Sequence, residues 1–160
     1  MSERLTTAVF NLFKGGIKTK TPTQVLSLAD TIALIQSDTY AMITRTLREF
    51  QSDKSRKEVK AQFDYVTFSG TFEPTRLVAN LKQHSGLIVL DFDHVQNLFE
   101  TRLQLQADPH TLVLFTSPSG TGLKLVIDVP ELISAPDRHK TVFADLAVYV
   151  RQQYGMDVDA

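Results

Sequence analysis

Thr111-Leu112-Val113-Leu114-Phe115-Thr116-Ser117-Pro118-Ser119-Gly120-Thr121-Gly122-Leu123-Lys124-Leu125-Val126-Ile127-Asp128-Val129 is two apolar runs divided by a turn. Each run has strand length and is rich in branched side chains. The six residues from Ser117 to Gly122 are too few to carry the crossover helix that joins parallel strands. The stretch therefore predicts a hairpin. With it comes an α+β fold on a mixed or antiparallel sheet, in preference to a doubly wound parallel one.

Upstream, Gly86-Leu87-Ile88-Val89-Leu90 is a continuous apolar run, which predicts a strand buried on both faces. It ends in Asp91-Phe92-Asp93. Val95, Leu98, Phe99 and Arg102 follow at helical spacing. Downstream, Ala135 to Tyr154 predicts a long helix with Val142, Leu146, Tyr149 and Val150 inside, stopped by Gly155. In the N-terminal half, Leu5 to Phe13 reads as a first strand. Thr21-Pro22-Thr23-Gln24 then carries helix-start signals, with Val25, Leu28, Ala29, Ile32 and Ile35 behind it. Helices are expected over Thr39–Phe50, over Asp53–Gln62 and, briefly, over Pro74–Gln83, with a strand at Tyr65–Phe68. Lys54, Arg56, Lys57 and Lys60 form a basic cluster, either a solvated helix face or a nucleic-acid backbone contact.

The chain has 160 residues, the size of one domain, and residues 1–160 are expected to form one. Apolar residues make up 42% and charged residues 22%, ordinary proportions for a water-soluble fold. Cysteine is absent, which excludes disulfides and thiolate metal sites. The formal net charge of −1 lacks the basic excess of a general nucleic-acid binder, so any such contact must be local. No apolar run approaches the ~20 residues that span a bilayer, and Met1 to Ala8 has no signal-peptide core. A cytoplasmic protein without a membrane partner is expected.

Two places can carry chemistry. Asp91 and Asp93 stand two apart, so on a strand their carboxylates share a face. Paired carboxylates repel, and a divalent cation such as Mg²⁺ or Mn²⁺ relieves that repulsion. The plainer alternative is one helix cap and one exposed acid. Ser117, Ser119, Gly120 and Gly122 lie in the turn, and Lys124 follows. Glycines admit a close ligand and bare backbone N–H groups, and Lys124 supplies a point charge for phosphate. The alternative is an empty hairpin loop. The spacing is not that of a Walker A loop. His84, His94, His110 and His139 show no metal-ligand spacing. The acids near the terminus read, from spacing alone, as a solvated end.

Together, Tyr65 to Phe72, Ser85 to His94 and Phe115 to Lys124 resemble the VirE N-terminal domain family of the archaeo-eukaryotic primase-polymerase superfamily. That resemblance implies an RRM-like catalytic sheet. It implies Asp91 and Asp93 as metal ligands, Asp159 as the third with Asp157 as fallback, and Ser117, Ser119, Gly120, Gly122 and Lys124 as nucleotide-binding. Asp91, Asp93 and Lys124 would be catalytic, in two-metal nucleotidyl transfer on a nucleoside triphosphate and DNA. The setting would be replication of a mobile element, with a helicase-type ATPase domain downstream or in trans, and this chain the N-terminal piece of a longer protein. Lys124 stands where many members have histidine. Two alternatives remain: a catalytically inactive nucleotide- or nucleic-acid-binding module, and a haloacid-dehalogenase-type phosphotransferase, which needs a parallel sheet around Asp91.

Overall fold

In the computed structural model, residues 3–159 are described; Met1, Ser2 and Ala160, at the two termini considered above, lie outside them. The protein is a mixed α+β structure whose strand pairings are all antiparallel among the described residues. Its contacts divide it into two compact units, one ending at Ser85 and one beginning at Gly86.

The first unit opens with α1 (Arg4–Thr7), β1 (Val9–Phe13), β2 (Gln24–Ser27) and α2 (Leu28–Gln36). One 3₁₀ turn leads into α3 (Ala41–Glu49), followed by α4 (Asp53–Lys60), β3 (Tyr65–Thr67), β4 (Gly70–Phe72) and β5 (Leu81–His84). β1 is the centre of a three-stranded sheet ordered β2-β1-β3, and β4 pairs with β5. Phe10, Leu12 and Phe13 are buried on β1, where Phe13 stacks on Tyr65 at 4.7 Å.

Three expectations need correction here. The first strand starts only at Val9, because Arg4–Thr7 is a helical turn. The helix expected from Thr21 starts at Leu28. Ser27 accepts from the Asp30 N–H while the Asp30 carboxylate takes the Ser27 N–H, a complete capping box. That leaves Gln24, Val25 and Leu26 free to pair with β1. Pro74–Gln83 is not a helix either. Val78–Asn80 is one 3₁₀ turn, and Leu81 onward is strand because β4 offers its edge.

The second unit runs β6 (Leu87–Phe92), α5 (Leu98–Gln106), β7 (Thr111–Thr116), β8 (Leu123–Asp128) and α6 (His139–Tyr154). β7 and β8 form the expected hairpin, and the sheet order is β6-β8-β7. The strand residues alternate. Ile88, Leu90 and Phe92 on β6 join Leu123, Leu125 and Ile127 on β8 in a core with Leu105 and Val150 of the helices. Val142, Leu146 and Tyr149 pack on it, as the helical spacing predicts. Gly155 closes α6 in the left-handed conformation, φ 66°. The haloacid-dehalogenase alternative needs parallel strands beside Asp91, and both described neighbours of Asp91 are antiparallel.

Candidate functional site

Because residues opposed in an antiparallel ladder share a face, register alone determines which side chains meet at the carboxyl end of β6. Asp91 is opposite Lys124 on β8, and Lys124 is opposite Phe115 on β7. On the free edge of β6, Asp91 forms an isolated antiparallel bridge with Asp159. Asp159, Asp91, Lys124 and Phe115 thus form one row across the sheet, on the face opposite the helices.

Two hydrogen bonds hold Asp159 there. The Asp159 N–H donates to the Asp91 carbonyl at 2.9 Å, and the Asp159 carboxylate accepts from the Asp93 N–H at 2.8 Å. Alternation positions this segment: Met156 and Val158 pack on the core, while Asp157 faces solvent and pairs with Arg151 at 2.7 Å. Asp159 therefore reaches the Asp91/Asp93 edge, and Asp157 does not.

Lys124 Nζ donates to Asp91 Oδ2 in an ion pair whose side chains are 24% and 31% exposed. The other oxygen, Asp91 Oδ1, is buried and has no hydrogen-bond partner. An orphaned carboxylate oxygen costs free energy until a cation or a water satisfies it. The donor set of three carboxylates suits a hard divalent cation. Among the described residues, however, no three acidic or histidine side chains converge on one point as a preformed metal site requires. Asp93 is exposed beyond the end of β6. Asn97, not either acid, caps α5.

The turn from Ser117 to Gly122 is internally bonded. Gly120 N–H donates to the Ser117 carbonyl at 2.9 Å, and Gly122 N–H donates to Ser117 Oγ at 3.2 Å. Ser117, Ser119 and Thr121 hydroxyls are linked at 2.9 and 3.2 Å. The two glycine amides that a phosphate cradle would use are thus turned inward. Gly122 is a close-approach position, since a Cβ there would lie 2.4 Å from the Phe92 carbonyl.

Two neighbouring features were not singled out from sequence. Arg102, half-buried on α5, donates to the Thr116 hydroxyl at the end of β7, adding a second cation beside the turn. His94, directly after Asp93, is the one non-glycine residue with positive φ among the described residues, at 53°. Arg102 carried only a helical-spacing signal, and His94 none.

The family described as BT4734-like, N-terminal domain, matches residues 58–160. The chain belongs to that family. The match takes in β3 to β5 and the whole of the second unit, hence every residue of the acidic row. It is a different family from the VirE and primase-polymerase group, and it overturns that resemblance. The stretches that carried it are the short strands β3 and β4, a strand ending in two acids and a hairpin with a Gly-rich turn, features that are not specific to one family. No curated protein and no solved structure matches the chain.

Proposed function

We propose that the second unit is a divalent-cation-dependent nucleotidyl-transfer site. What supports this best is the Asp91–Asp159 bridge, which collects a third carboxylate beside Asp91 and Asp93 from 66 residues beyond Asp93. The order β6-α5-β7-β8-α6, with Asp159 on the outer edge of β6, agrees with a split β-α-β, RRM-like platform. On this reading Asp91, Asp93 and Asp159 would hold Mg²⁺ or Mn²⁺, and Lys124, now paired with Asp91, would supply a positive charge for the triphosphate. Ser117, Ser119, Gly120 and Gly122 shape the floor beneath the nucleotide. The cation would supply charge stabilisation at the transferring phosphate. DNA is the second substrate, replication in the cytoplasm the setting, and a helicase-type ATPase domain the partner in cis or in trans.

Calorimetry with Mn²⁺, followed by a primer-extension assay, tests the reading. Cation binding and nucleotide incorporation that both disappear in Asp91→Ala are expected. A chain that binds neither Mn²⁺ nor Mg²⁺ overturns it.

One observation favours a second reading. The Lys124 ammonium already neutralises Asp91, as in a catalytically inactive module that binds nucleotide without a metal. Nucleotide binding undiminished in EDTA, with no incorporation, would select it.

A further inference from the structure

The formal charge of −1 hides a strong asymmetry. Residues 1–85 hold twelve Lys and Arg against eight Asp and Glu, a charge of +4, and residues 86–160 hold five against ten, a charge of −5. The positive excess has a focus. α4 presents Lys54, Lys57 and Lys60 at three-residue intervals, all exposed. Among the described residues no ion pair engages any of them.

Beside α4 lies a cleft of ≈ 560 Å³ lined by Gly15, Lys18, Glu58, Ala61 and Gln62. The loop after β1 is held against the end of α4: Ile17 N–H donates to the Ala61 carbonyl at 2.9 Å, and a Cβ on Gly16 would sit 2.3 Å from that same oxygen. Asp64 fixes the loop from below, accepting from Gly15 N–H and from Tyr40 OH, each at 2.9 Å. The cationic rim is therefore built on a braced loop and a capped helix. Glu58 is the one acid in the cleft, and Lys54 lies one turn before it on the same helix face.

We propose that α4 and the Gly15–Lys18 loop bind the phosphodiester backbone of a nucleic acid, with Lys18, Lys54, Lys57 and Lys60 as the phosphate contacts. The proposal rests on the nucleotidyl-transfer reading only for the choice of nucleic acid among polyanions. An anionic membrane fits poorly, because a helix that lies on a bilayer needs a broad apolar face. The only large apolar side chain on α4 is Val59, and it is half-buried. With no aromatic side chain lining the cleft, the contact is to backbone and not to bases. Binding should then be independent of sequence and steeply dependent on salt.

The test is fluorescence anisotropy of a labelled single-stranded oligonucleotide titrated with the 160-residue chain in EDTA, so that the acidic row plays no part. Wild type should bind, and the affinity should fall with added salt. The triple variant Lys54→Glu/Lys57→Glu/Lys60→Glu should bind at least tenfold more weakly. Its plot of log affinity against log salt should be shallower by about 2, from roughly 0.7 per lost phosphate contact on a single strand. The variant Lys54→Gln/Lys57→Gln/Lys60→Gln is the second probe, in case three new acids disturb α4. Equal affinity and slope in the Gln variant and wild type would overturn the proposal. So would the absence of oligonucleotide binding at low salt, or capture by phosphatidylserine vesicles in its place. Loss of Mn²⁺ binding or of incorporation elsewhere bears on the acidic row and leaves this result standing.

Discussion

Gly122 has no side chain because the Phe92 carbonyl occupies the space where one would begin. Gly122→Ala must push β6 and the turn apart. The expected cost is roughly 1–3 kcal/mol, the range for overfilled sites, read as a lower urea midpoint with an unchanged slope. Lys124 makes a different kind of prediction. Its pair with Asp91 is partly exposed, so Lys124→Ala should change stability by no more than about 1 kcal/mol. On the nucleotidyl-transfer reading it should tighten Mn²⁺ binding, roughly tenfold or about 1.4 kcal/mol, because the competing ammonium is gone, while nucleotide affinity falls. A variant whose Mn²⁺ affinity drops would count against that competition. His94 holds a left-handed conformation that costs a non-glycine residue roughly 1–2 kcal/mol, and His94→Gly is expected to raise the thermal midpoint.

The elements differ in how openly the sequence declared them. The β7–β8 hairpin was legible because Ser117–Gly122 leaves no room for anything else. α6 was legible from its apolar spacing and its terminal Gly155. β2 was not, since Thr21 to Gln24 imitates a helix cap while Ser27 and Asp30 form the working one. β5 was not, because its strand character comes from partners nine to fourteen residues away in β4. The acid pair was visible, but the arrival of Asp159 depends on where α6 ends, which is a tertiary matter. Asp108 anchors the last turns of α6: it accepts from Tyr149 OH at 2.8 Å and also from Tyr154 OH. Burial pushes its carboxyl up, but the bonds from Tyr154, the His110 N–H and Tyr149 outweigh that and hold it below the usual range. A lowered folded value stabilises at pH above the unfolded carboxyl, ~3.9, and the gain is lost as pH falls through the folded value. Asp108→Ala should cost about 2–3 kcal/mol, the scale of several stranded hydrogen bonds. In urea titrations the gap to wild type should be constant above about pH 5 and narrow in acid.

At the scale of the molecule, an antiparallel α+β scaffold carries a basic unit and an acidic one, and among the described residues no helix is long and apolar enough to cross a membrane. A cation that binds only the folded chain should stabilise it by mass action, about 2.7 kcal/mol at a hundredfold excess over Kd. Thermal melts with and without Mn²⁺ measure this, and Asp91→Ala should erase the difference. The Asp159 bridge has one more consequence. A single isolated bridge ties Asp159 to the edge of β6, and it has fewer bonds to lose than the β6–β8 ladder, so it opens at lower cost while the sheet stays intact. On the nucleotidyl-transfer reading, opening of this bridge should release Asp159 from the acidic row before the sheet unfolds. A cation held there would favour the closed bridge, and slower exchange of the Asp159 amide on adding Mg²⁺ is the expected sign of it.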